Sequence, residues 1–166
     1  DYIPAKVIGA SMHKQHNYIT INKGTRDGID KDMGVVGPDG VVGIVSAVGE
    51  KYALVVPLIH TEMNISCRIQ SNDYIGRTQW LGKDRTRLQL EDISRHITVD
   101  QGDTIITSGL TPVFPSGIVV GVVEQTDLTS NDNYHHITLK IATDYQKINY
   151  VQVINNRALN TDNTKK

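Results

Sequence analysis

Branching at Cβ is the feature that most limits what this chain can become. Val occurs 17 times, Ile 19 and Thr 15, so 51 of 166 residues are β-branched, against only 15 Leu and Ala together. Branched side chains crowd the preceding turn of a helix and sit well on a pleated surface. A helical bundle or a coiled coil within the chain is thereby excluded, and the 14 glycines and 5 prolines supply the punctuation of an all-β protein. A chain of this length buries about 70% of its unfolded surface when packed as one unit, so the core needs no disulfide or metal. Lys+Arg is 17 against 18 for Asp+Glu, a net charge of -1. That balance speaks against nucleic acid and against a polybasic membrane patch.

Short alternating segments run along the whole chain. Residues 5–10 form a first strand, and 12–17 form a polar connection. Tyr18-Ile19-Thr20-Ile21-Asn22 alternates with Ile19 and Ile21 inward, and 23–31 is a turn region. Val35-Val36 enters Gly37-Pro38-Asp39-Gly40, so 33–48 reads as a β-hairpin. Further strands fall at 52–59, 63–70, 76–81, 87–90, 103–107, 117–125, 137–142 and 150–154, and 93–96 is read as a helical turn. About a dozen strands at this spacing predict two small six-stranded β-barrels packed together, with little helix. The polar break Ser71-Asn72-Asp73 is taken as their boundary. The expected partition is 17–72 for the first barrel, 2–12 plus 74–154 for the second, and 155–166 as a polar tail.

Candidate chemistry is sparse. Cys67, the only cysteine, shares a strand face with Ile65 and Ile69 and reads as a buried small hydrophobe. Among the six histidines, His135 and His136 point to opposite faces of a strand. His13 and His16 lack a Cys or carboxylate at ligand spacing, and His60 and His96 stand isolated. No metal site and no cofactor is expected. Asp27, Asp30 and Asp32 lie beside Arg26 and Lys31 as solvated charge, without the spacing of a calcium loop. A serine hydrolase is the enzyme to weigh, because paired barrels also build the chymotrypsin fold. Gly102-Asp103 is followed by Thr104, Ile105 and Ile106 where those enzymes need a serine and two glycines, and Ser108-Gly109 lacks the offset. Catalytic residues are therefore expected to be none, with Ser108 shaping its own loop.

The most specific stretch is Gly102-Asp103-Thr104-Ile105-Ile106-Thr107-Ser108-Gly109, followed by Phe114-Pro115-Ser116-Gly117 and then Gly121-Val122-Val123. Gly117 and Gly121, four apart, would leave one strand face open for a bend or a close approach. The pattern GD-x-x-x-TSG…FP-x-G-x-x-x-G-x-V resembles the MreC family of rod shape-determining proteins, and every fixed residue is present. Gly24, Asp27 and Gly28, the run Gly40-Val41-Val42-Gly43, Leu58-Ile59-His60, and Gly76 before Trp80 are similar too, in the form seen in Bacteroidetes-type bacteria. The resemblance extends from about residue 5 to residue 153. It implies the periplasmic domain of a single-pass inner-membrane protein, with a membrane helix and coiled coil expected upstream of Asp1. It implies a non-enzymatic scaffold of the cell-wall elongation machinery, binding penicillin-binding protein 2, MreD and RodA and, indirectly, MreB. Self-association as a dimer or filament is implied as well. The motif positions carry over as structural marks only. The rival readings are an adaptor barrel of a periplasmic transport assembly and a degenerate protease-like barrel.

Phe114 is the only phenylalanine, and it lies in a loop stiffened by Pro112 and Pro115. Two readings stay open for it: a plug between the barrels, or a pre-ordered anchor for a protein partner.

Overall fold

A computed structural model describes residues 1–13 and 15–155. Twelve strands account for nearly all its regular structure: β1 (Tyr2–His13), β2 (His16–Ile21), β3 (Gly34–Gly37), β4 (Gly40–Val48), β5 (Ala53–Pro57), β6 (Ser66–Ile69), β7 (Ile75–Gln79), β8 (Arg87–Glu91), β9 (Thr104–Thr107), β10 (Val119–Asp127), β11 (His136–Ile141) and β12 (Tyr150–Ile154). A single 3₁₀ turn, Thr25–Asp27, is the only helical element among the described residues. The strands close into two six-stranded barrels, in the orders β1-β12-β3-β4-β5-β2 and β10-β11-β8-β7-β6-β9. Closure leaves neither sheet with a free edge. Bulges help to bend the strands round: register shifts occur at Val7/Gly9 in β1, Val45/Ala47 in β4, and twice in β10.

The partition differs from the expected one. Both ends of the described chain belong to the first barrel, because β12 lies antiparallel to β1 from Tyr2↔Ile154 to Lys6↔Tyr150 and then pairs with β3. The second barrel is one continuous piece from β6 to β11, inserted between β5 and β12. The chain therefore crosses between barrels at 58–65 and again at 142–149. Ser71-Asn72-Asp73 is no boundary but the β6–β7 hairpin turn. Asp73 there adopts φ 62°, its N–H donates to the Ile69 carbonyl at 2.8 Å, and its carboxylate pairs with Arg68. The error has a physical source: a polar break marks where a strand ends, not which strand it pairs with. Two smaller corrections follow. Residues 12–17 are mostly strand, forming the tip of the β1–β2 hairpin with Met12 paired to Asn17. Residues 93–96 do not form helix; Ser94 bridges Tyr134, and a turn closes through Ile97 N–H to the Ser94 carbonyl. Of the expected tail, only Asn155 falls within the described residues.

Each barrel is filled by its alternating residues. Ile19, Ile21, Ile29, Met33, Val35, Val45 and Val55 are fully buried in the first, and Cys67, Ile69, Leu88, Leu90, Ile105 and Leu139 in the second. Burial pushes the Cys67 thiol up to about 12, so it stays protonated and unreactive. The second core does not stop at its own barrel. It runs on through Val41, Leu58, Ile59 and Ile154 of the first barrel and its crossover, so the barrels share an apolar seam.

Candidate functional site

The seam is where the specific sequence motif lies. Thr107, at the end of β9, organises the loop that follows. Its hydroxyl donates to the Pro115 carbonyl at 2.6 Å and accepts the Ile118 N–H at 3.0 Å, while its own amide donates to the Ile118 carbonyl at 2.8 Å. Gly109 and Gly117 take φ of 78° and 101°, a conformation side-chain-bearing residues rarely adopt. Gly117 therefore serves the turn before β10 and not a strand face. Gly121 does lie in β10, at a register shift, with the Lys140 carbonyl oxygen packed where a Cβ would go.

The loop held in this way folds back and lays Phe114 on the first barrel. The ring is 4% exposed. Its slot is made by Gly34 at the start of β3: a Cβ there would sit 2.6 Å from Cε1 of Phe114 and 2.6 Å from the Val113 carbonyl oxygen. Gly40 leaves similar room, with the Val119 carbonyl oxygen 2.2 Å from where its Cβ would be. The plug reading of Phe114 fits this burial. The anchor reading needs a ring at the surface, and a partner could reach this one only by parting the barrels. In the same loop the exposed apolar residue is Leu110, at 70%.

The second crossover stitches the seam from the other side. Thr143 donates its hydroxyl to the Val41 carbonyl at 2.7 Å. Tyr145 donates to the Val42 carbonyl at 2.6 Å and accepts the Leu58 N–H at 3.1 Å. Burial drives the Tyr145 phenol far above its ordinary pKa, so the hydroxyl stays a donor at any physiological pH. Neither residue stood out in the sequence, since a lone Thr or Tyr in a polar stretch carries no signal of a bond spanning about a hundred residues of chain.

The remaining motif positions shape turns. Gly24 donates its N–H to the Asp27 carboxylate at 3.1 Å, and Gly28 ends that turn at φ 93°. Gly102, also at φ 93°, donates to the Val123 carbonyl, and the Asp103 carboxylate accepts the Asp100 N–H at 2.9 Å. Ser108 donates to the Ser66 hydroxyl at 2.8 Å and accepts the Leu110 N–H at 3.2 Å. Among the described residues its hydrogen-bond partners are Ser66 and Leu110, whereas a nucleophilic serine needs a base in reach. Ser108→Ala is expected to cost about 1 kcal/mol of stability, with no loss of labelling by a serine-reactive probe because the parent should not label. Labelling of the parent that disappears in the variant would restore the hydrolase reading.

Along the outside of the first barrel lies a groove of about 490 Å³. Tyr2, Pro4, Val36, Pro38 and Tyr150 line it, and Ile118 from the motif segment closes one wall. Tyr2 and Tyr150 are 53% and 66% exposed. The groove joins residues from the first and last strands, so sequence order hides it.

Two closed barrels locked at a buried seam, with an open apolar groove beside it, define a rigid double-barrel module. The chain belongs to the MreC family: residues 7–155 match the family model described as rod shape-determining protein MreC, barrel core. The cell shape-determining protein MreC of Bacillus subtilis is 33% identical over 168 residues, covering 93% of this chain and 58% of that protein. The chain spans about half the length of the curated relatives it matches. A crystal structure of MreC from Pseudomonas aeruginosa has the same fold, with TM-score 0.87 at 23% identity over 93% of this chain and 99% of that one. A solved complex between penicillin-binding protein 2 and MreC from Helicobacter pylori includes a further likeness, with TM-score 0.70 at 20% identity over 93% and 98%. Among the described residues no helix is long and apolar enough to cross a membrane.

Proposed function

We propose that this chain is a non-enzymatic scaffold domain of the cell-wall elongation machinery, standing on the outer face of the inner membrane and helping to maintain rod shape. Its partner in this reading is the extracytoplasmic part of penicillin-binding protein 2, as in the Helicobacter complex. MreD, RodA and, indirectly, MreB complete the assembly, and further copies of the chain add self-association. The single observation that carries the binding claim on this molecule is the groove. Two exposed tyrosines flank an apolar floor on a rigid barrel, and rigid aromatic residues in concave, water-excluding settings supply most of the affinity in protein interfaces. With a net charge of -1 the domain has little long-range steering to add.

Tyr150 is the residue to remove. Among the described residues its ring has only the Lys6 ammonium, 5.8 Å away, as an aromatic-face partner, and the residue is two-thirds exposed. Tyr150→Ala should weaken capture of the synthase by about 2 kcal/mol, roughly thirtyfold, and leave melting unchanged. Undiminished capture by a Tyr2→Ala/Tyr150→Ala double variant would remove the groove from the account.

A further inference from the structure

The fold brings together three side chains that sequence spacing kept apart. His16 opens β2, and His60 and Glu62 lie 44 and 46 positions later in the first crossover between the barrels. Their donor atoms all lie within 4.8 Å of one another. The rings of His16 and His60 meet edge to face with centroids 5.0 Å apart, and Tyr18 approaches His60 in the same manner at 5.6 Å. We propose that His16, His60 and Glu62 form a site for a divalent transition metal, zinc by preference, which ties the β1–β2 hairpin to the crossover.

The donor set suits that ion: two imidazoles and a carboxylate are a recurrent zinc shell, with a fourth position left to solvent. The second, independent observation is His60 itself. The residue is 3% exposed, and its Nε2 has no hydrogen-bond partner among the described residues. Folded proteins leave few buried polar atoms unpaired, and each calls for a reason. An ion held between His60 and the two exposed side chains supplies one.

The site requires specific adjustments. Zinc bonds of about 2.0–2.2 Å in a tetrahedron bring ligand atoms to roughly 3.4 Å apart. His16 and Glu62 are exposed and can draw in toward the fixed His60. At present Nδ1 of His60 accepts the Glu62 N–H at 3.1 Å, which places the ring proton on Nε2. Metal at Nε2 shifts that proton to Nδ1, and the Glu62 amide, on an exposed residue, turns to water. The location gives the ion leverage on the barrels. Around it the hairpin tip already reaches across the crossover and the second barrel, with Thr61 donating to the Gln15 carbonyl at 3.2 Å and Arg85 to the Met12 carbonyl at 2.7 Å.

Zinc titrated calorimetrically into the chain should bind one to one, with melting raised by the ion. His16→Ala and Glu62→Gln change exposed side chains, so circular dichroism should stay that of the parent. Each should weaken zinc by at least about tenfold, the loss that removing even an outer-shell partner brings. Ring ¹⁵N shifts of His60 should pass from the Nε2-protonated to the Nδ1-protonated tautomer on zinc addition. The proposal is overturned by any of three results: no saturable binding by about 100 µM zinc, a dissociation constant too weak for a specific site; parent-like binding in both variants, which would put the ion on other histidines; or an unmoved His60 tautomer.

Discussion

Phe114→Ala should lower the unfolding free energy by about 3–5 kcal/mol, the loss expected for a fully buried phenylalanine. The ring fills a slot in one barrel while belonging to a loop of the other, so its removal leaves a void at the seam itself. For a domain of this size the shift is roughly 10 °C in melting temperature. The loop around it is tied down through Thr107 and stiffened by prolines, which resists its collapse into the void. A variant that melts like the parent but loses its protein partner would show that Phe114 acts at the surface, contrary to its burial.

Gly121→Val is expected to cost about 1–3 kcal/mol through overpacking, with part of it expressed as a distorted β10. A Cβ at this position lands 2.4 Å from the Lys140 carbonyl oxygen and 3.5 Å from Cα of Ile141, both on the paired strand β11. The obstacle is backbone, so no side chain can rotate away, and the ladder must open by about an ångström to admit the atom. Thermal melting of the purified variant measures this directly, and a melting temperature equal to the parent's would remove the close approach from the explanation of the motif.

Much of the architecture could be read from local chemistry. The two-residue period at Tyr18-Ile19-Thr20-Ile21 is enough to place Ile19 and Ile21 inside, and Pro38-Asp39-Gly40 is enough to place a hairpin turn. Both depend only on what a pleated strand does to neighbouring residues. Closure was not legible. The Tyr2↔Ile154 pair joins the two ends of the described chain, and alternation says which face a residue occupies without naming its partner strand. The break at Ser71-Asn72-Asp73 therefore falls inside the second barrel and not between the two. The motif told of constrained backbone at Gly109 and Gly121, and the structure supplies the constraint in each case. It did not tell of Gly34, whose role exists only because a ring from the other barrel lies on it. The groove between Tyr2 and Tyr150 and the cluster of His16, His60 and Glu62 share that character. Each is assembled by long-range closure from residues whose own neighbourhoods look ordinary.

The proposed role of this double barrel is that of a protein-binding scaffold. Isothermal titration of the chain against the extracytoplasmic part of penicillin-binding protein 2 tests it most directly. Saturable one-to-one binding is expected, with a dissociation constant in the micromolar range or tighter and a negative heat-capacity change as the apolar groove leaves water. Absence of any association at about tens of micromolar, with both proteins folded, would contradict it.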